Sequence, residues 1–142
     1  MALKLKENFG KRFLNYSVNE ILLDKELAQL GDAYVNFIYS LALSSSKGRL
    51  VGGKVSSEIL AKALKESGLR KFLPTRLDRH SLGDATEALI AYSWITEKIT
   101  AEEAVKILEK EDDNSIEGFK KLLLQIMRKF PREIVEEKIC EM

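Results

Sequence analysis

Leu27-Ala28-Gln29-Leu30-Gly31-Asp32-Ala33-Tyr34 and Ser81-Leu82-Gly83-Asp84-Ala85-Thr86-Glu87-Ala88-Leu89-Ile90 are the two stretches whose reading decides the fold. Around the first, Leu27, Leu30, Tyr34, Phe37, Ile38 and Leu41 recur at spacings of three and four, which predicts a long apolar helix over 25–44. In the second, Ser81 is a good N-cap for an apolar helix reaching about Glu97. That start puts Asp84 at the third helical position, where a carboxylate favours the free N–H groups. Each stretch sets acids inside an apolar run, and burying a carboxylate beside Leu, Ala, Ile or Tyr is costly unless its charge is compensated.

Working outward, the remaining signals are also helical. Residues 13–23, with Phe13, Leu14, Tyr16, Val18, Ile21, Leu22 and Leu23, start a core. Lys47 to Lys54 holds three glycines and reads as a loop. Ser56 or Ser57 caps a helix to about Ser67, stopped by Gly68. Leu69 to Leu73 is a short helical turn before Pro74, and Thr75 to His80 is a basic loop. Thr100-Ala101-Glu102-Glu103 is a capping box opening a helix to about Lys110. Glu111 to Asn114 is an acidic turn. Ile116 to Lys129 is an amphipathic helix with Leu122, Leu123, Ile126 and Met127 inward. Pro131 suits the first position of a terminal helix, Arg132 to Glu141. β-branched alternation is nearly absent, so the expected class is all-α, with six or seven helices.

Composition bounds the function. With 142 residues, 45% of them hydrophobic and 32% charged, the chain suits one globular domain, 1–142, with no internal boundary. No apolar run approaches the roughly 20 residues that span a bilayer. Met1 to Arg12 is basic but has no apolar segment of the secretory kind. The lone Cys140 excludes an internal disulfide and a Cys-rich metal site, and the expected location is cytoplasmic. The net charge of +1 hides an asymmetry: residues 44–82 carry nine basic and three acidic side chains, and residues 83–142 carry nine basic and fourteen acidic. A basic middle suits phosphate binding, although a solvated face has the same composition.

Asp84 and Glu87, at i and i+3, share one helix face, and Asp32 lies mid-helix in the other apolar element. Three acids from two distant segments can share one ion. Oxygen ligands without a Cys cluster favour Mg²⁺ or Mn²⁺ over Zn²⁺. The chemistry best served is metal-assisted phosphodiester hydrolysis. Acids at helix ends or on a surface would show the same spacing. Gly31 costs roughly 1 kcal/mol against Ala within a helix, which points either to close approach of another backbone, from the second acidic helix or a partner subunit, or to a break in the helix at that residue. Gly48-Arg49-Leu50-Val51-Gly52-Gly53-Lys54-Val55 matches a phosphate-loop pattern but fails at Val55 and follows a helix instead of a strand, so it is set aside. Its Lys47, Arg49 and Lys54 remain able to touch a phosphate backbone. His80, in Arg76-Leu77-Asp78-Arg79-His80, is either a surface loop histidine or a residue that contacts RNA or assists proton transfer. Trp94 and Tyr92 read as core or as a subunit contact.

The two acidic stretches together resemble the catalytic domain of ribonuclease III: Leu30-Gly31-Asp32-Ala33 within a long helix, then Asp84-x-x-Glu87-Ala88-Leu89-Ile90 opening another. Lys54-Val55-Ser56-Ser57-Glu58-Ile59-Leu60-Ala61 and Gly68-Leu69 resemble the helix between them. The likeness covers roughly residues 15–110. It implies a helical endonuclease, usually a homodimer, that cuts double-stranded RNA with Mg²⁺ and leaves 5′-phosphate and 3′-hydroxyl ends. Asp32, Asp84 and Glu87 match the family's metal-binding acids, and Gly31 its helix glycine. Lys25 and Ala28 stand where the family usually carries glutamates. The compact Mini-ribonuclease III branch also tends to have Ala at the position of Ala28 and lacks a separate double-stranded-RNA-binding domain, for which this chain has no room. The expectation is a Mg²⁺-dependent endoribonuclease in which Lys47, Arg49, Lys54, Arg76, Arg79 and His80 engage RNA. Two other readings stay open: a ribonuclease III fold without catalysis that binds RNA or serves assembly, and a helical protein-interaction domain.

Overall fold

The computed structural model describes residues 4–130. Among these it contains seven α-helices and one 3-10 turn: α1 (Lys4–Arg12), α2 (Val18–Leu22), α3 (Lys25–Lys47), α4 (Ser57–Glu66), the turn Leu69–Phe72, α5 (Arg79–Ile95), α6 (Ala101–Lys110) and α7 (Ser115–Arg128). The expected all-α class holds. The expected terminal helix Arg132 to Glu141, and Cys140 within it, lie outside the described residues.

Side-chain caps account for most of the boundaries. Ser17, Asp24, Ser56, Thr100 and Asn114 each accept a hydrogen bond from a backbone N–H of the first turn they open. The capping box at Thr100 is present, with a second at Ser17 and Glu20. Gly48, at φ +69°, ends α3 in the left-handed conformation that glycine adopts without strain. The long helix therefore runs three residues past the expected end.

Two expectations about α5 need correction. Asp78, not Ser81, is its N-cap, accepting from the Ser81 N–H at 2.8 Å. The helix begins at Arg79, so Arg79 and His80 are helical and Asp84 sits a turn deeper than expected. Asp84 lies beyond the first turn, so the free N–H groups there do not explain it. The helix also ends earlier, at Ile95, where Thr96 closes it.

Helix α5 is the axis of the molecule. It is buried on nearly every side from Leu82 to Ile95, as its even apolar composition requires. Helices α1, α2, α3, α4 and α7 all pack on it, and α3 shares the longest contact. Phe13, Val18, Ile21 and Leu22 join the core as expected, but Leu14 and Leu23 face outward. Tyr92 is buried against Phe13 and Phe130, whereas Trp94 is half-buried beside Tyr34. In α7, Leu122, Leu123 and Ile126 are buried and Met127 is only half-buried. The apolar periodicity of α3 splits between two faces. Leu27, Val35 and Ile38 are buried, while Leu30, Phe37 and Leu41 remain 40%, 57% and 37% exposed.

Candidate active site

The site forms where α3 crosses α5. A Cβ atom built on Gly31 would lie 2.1 Å from the carbonyl oxygen of Glu87, so only glycine lets the two backbones meet. Of the two origins expected for that close approach, the second acidic helix supplies it. Helix α4 is tied in from the other side. Thr86 Oγ1 donates to the Leu60 carbonyl at 2.9 Å, and a Cβ on Gly83 would sit 3.3 Å from that of Ser57.

This packing opens a cleft of about 1010 Å³ lined by Asp32, Asp84, Glu87, Lys54 and His80. The acids differ in environment. Glu87 is 8% exposed, whereas Asp32 and Asp84 are exposed. The expected burial therefore applies to Glu87 alone. Helix periodicity shows which residues share a face but not how deeply a crossing helix covers them.

Burial is the main force on Glu87 and pushes its carboxyl up to about 8. A hydrogen bond to Asp32 and the negative charges of Asp32 and Asp84 add to the shift, and Lys54 opposes it. Asp84 is also raised, first by burial, then by Asp32 and Asp78, against the opposing charge of His80. Glu87 thus lies within the influence of both other acids, and Asp84 within that of Asp32. Among the described residues no three His, Cys, Asp or Glu side chains are assembled into a ready-made metal-ligand group. The donor chemistry nevertheless suits a hard divalent cation: three carboxylates, one of them nearly buried and destabilised as an anion by the other two.

The remaining candidates divide. Lys54 and His80 line the cleft, but Lys47, Arg49, Arg76 and Arg79 are exposed outside its lining. Lys47 ends α3, Arg79 begins α5, and Arg76 holds a left-handed φ of +67° in the connection before it. Lys25 and Ala28 also face the cleft. The set-aside phosphate-loop pattern forms a strap that leads from α3 to α4 with no strand before it.

Asn36 was not among the candidates. Its Nδ2 donates to the Asp32 carbonyl at 2.9 Å and lies 3.3 Å from Asp32 Oδ1, while its Oδ1 accepts from the Val55 N–H at 2.9 Å. The available signal was a polar stripe, Asn36, Ser40 and Ser44, at a spacing of four in an otherwise apolar helix. No helix among the described residues is long and apolar enough to cross a membrane.

The family model described as Ribonuclease III matches residues 25–140, which takes in both acidic stretches and the helix between them. No curated protein matches the chain.

Proposed function

Because the chain belongs to the ribonuclease III family, we propose that it is a Mg²⁺-dependent endoribonuclease that hydrolyses phosphodiester bonds in double-stranded or structured RNA. The observation that carries this reading is Glu87: a carboxyl 8% exposed, facing a cleft with Asp32 and Asp84, with its acidity suppressed to about 8. Such a group costs the fold stability unless its charge is compensated, and perturbed acids gathered in a cleft mark functional sites.

Asp32, Asp84 and Glu87 would hold the cation, with Mn²⁺ as a substitute for Mg²⁺. A bound divalent ion supplies an acidified water and neutralises charge on the scissile phosphate. The other roles belong to the chain itself. In the metal-free protein near neutral pH, Glu87 keeps its proton and donates it in a hydrogen bond to Asp32; to hold a cation it would release that proton to solvent. Lys54 faces Glu87 from the strap and is placed to meet a non-bridging phosphate oxygen. His80 contacts the RNA from the first turn of α5. Lys47, Arg49, Arg76 and Arg79 lie outside the cleft and serve the flanking backbone, where A-form geometry is read by shape.

Leu30, Phe37 and Leu41 lie on one exposed face of α3, spaced by seven and four, and support a homodimer through this helix. A second reading, an RNA-binding or assembly module without catalysis, is favoured by Lys25 and Ala28, which bring no carboxylate to the cleft they line. Cleavage of a duplex RNA in Mg²⁺ or Mn²⁺, with Glu87→Gln as control, separates the two. Cleavage lost in the variant supports the enzyme, and binding without cleavage in the wild type supports the second reading. No RNA binding even at low salt refutes both.

A further inference from the structure

The strap between α3 and α4 is fastened to α3 by a regular ladder. Ser44 Oγ accepts from the Val51 N–H at 2.9 Å, Ser40 Oγ accepts from the Gly53 N–H at 2.8 Å, and Asn36 Oδ1 accepts from the Val55 N–H at 2.9 Å. Alternate strap residues thus meet side chains four apart on the helix, and the two run antiparallel. The repeats match: two extended residues advance about 6.6 Å and four helical ones about 6 Å. Asp32 is the next position on the same stripe. Asn36 reaches it with its other end, Nδ2 donating to the Asp32 carbonyl at 2.9 Å and lying 3.3 Å from Oδ1. One amide therefore uses its acceptor on the strap and its donor on a site acid. Val55 turns inward and is buried, while the preceding Lys54 is exposed and lines the cleft.

We propose that Asn36 is a positioning residue that sets the strap bearing Lys54 in register with the carboxylate of Asp32. The proposal rests on the endonuclease reading above. Asn36 touches no reacting atom; it acts through the two groups it holds. Both ends of the amide are required, because Oδ1 alone would fasten the strap without orienting Asp32.

The test compares Asn36→Ala and Asn36→Asp with Ser44→Ala in the full chain. Ser44→Ala breaks the ladder about 12 Å away along the helix, where Ser44 holds both polar groups of Val51. The readouts are Mn²⁺ affinity by calorimetry, single-turnover cleavage at saturating duplex RNA, and amide hydrogen exchange at Val51 and Val55. Asn36→Ala is expected to weaken Mn²⁺ binding and slow cleavage, each by about 10-fold, as loss of a group that orients a metal ligand does. It also frees the Val55 amide to exchange. Asn36→Asp keeps the acceptor, so Val55 stays protected, yet its lost donor and added negative charge impair cleavage at least as much. Ser44→Ala frees Val51 and leaves Mn²⁺ affinity and rate within about two-fold, as expected for a distant site. Equal effects of Asn36→Ala and Ser44→Ala on metal affinity and rate, or no effect of either, would overturn the proposal while leaving the endonuclease reading intact. A wild-type protein that neither binds Mn²⁺ nor cleaves RNA refutes that reading, and the proposal falls with it.

Discussion

Replacing Glu87 with Gln is expected to make the metal-free protein more stable while removing its activity. The carboxyl titrates near 4.5 when unperturbed and near 8 in the fold. Between those values the native state binds more protons at Glu87 than the unfolded state, so this group's contribution to stability is fully present below pH 4.5, declines as pH rises, and levels off above 8. At pH 7 the native group remains mostly protonated while the unfolded one is ionised. The window from 4.5 to 7, at about 1.4 kcal/mol per unit, sets an upper limit of about 3.4 kcal/mol. The cleft is open to water and counter-ions, and roughly half that figure is a realistic gain. Gln keeps the shape and the donor toward Asp32 and carries no charge to desolvate. The expected outcome is a gain of about 1.7 kcal/mol at pH 7, or about 5 °C in melting temperature for a chain of this size. The gain should be larger at pH 9 and nearly absent at pH 4. Thermal unfolding in chelator across that range measures it. Added Mg²⁺ should then raise the melting temperature of the wild type and leave the variant unmoved. A variant no more stable than wild type at both pH 7 and pH 9 would refute the account of Glu87 as an electrostatically strained group.

Other outcomes follow from the same geometry. Gly31→Ala forces a methyl group against the Glu87 carbonyl and should cost at least about 3 kcal/mol, or prevent folding; Gly52→Ala, with nothing within 4 Å of the new atom, should be near neutral in the same urea titration. Phe37→Glu, on the exposed face of α3, should shift sedimentation from dimer to monomer, and a wild type that sediments as a monomer at high concentration would count against that interface. Lys54→Ala should weaken duplex RNA binding and lower the salt dependence by roughly one ion; an unchanged slope would place Lys54 off the phosphate path.

The fold was legible where local chemistry decides it. Thr100, Ser56 and Gly68 mark helix ends that depend on a single side chain or a single φ angle, and the structure places them as expected. Asp78 and Ser81 are both competent caps three residues apart. Choosing between them depends on where the preceding turn delivers the chain, which no local pattern contains. The candidate site was legible as far as Asp32, Asp84 and Glu87 lining one cleft, because Gly31 beside Asp32 and the Asp84–Glu87 pair are costly choices without a shared purpose. Which acid is buried was not legible, since that depends on the crossing of α3 over α5. Lys54 reaches the cleft from the strap and His80 from the first turn of α5, two elements that only the folded chain brings together. The Asn36, Ser40 and Ser44 ladder is present in the sequence as a polar stripe, but each member alone is an ordinary polar residue and carries no signal of the strap it holds.

The contact between Gly31 and the Glu87 carbonyl makes the separation of the two site helices a main-chain dimension. Its value does not depend on the bulk of any side chain. Any side chain at position 31 would have to part the two helices, and with them Asp32 and Glu87.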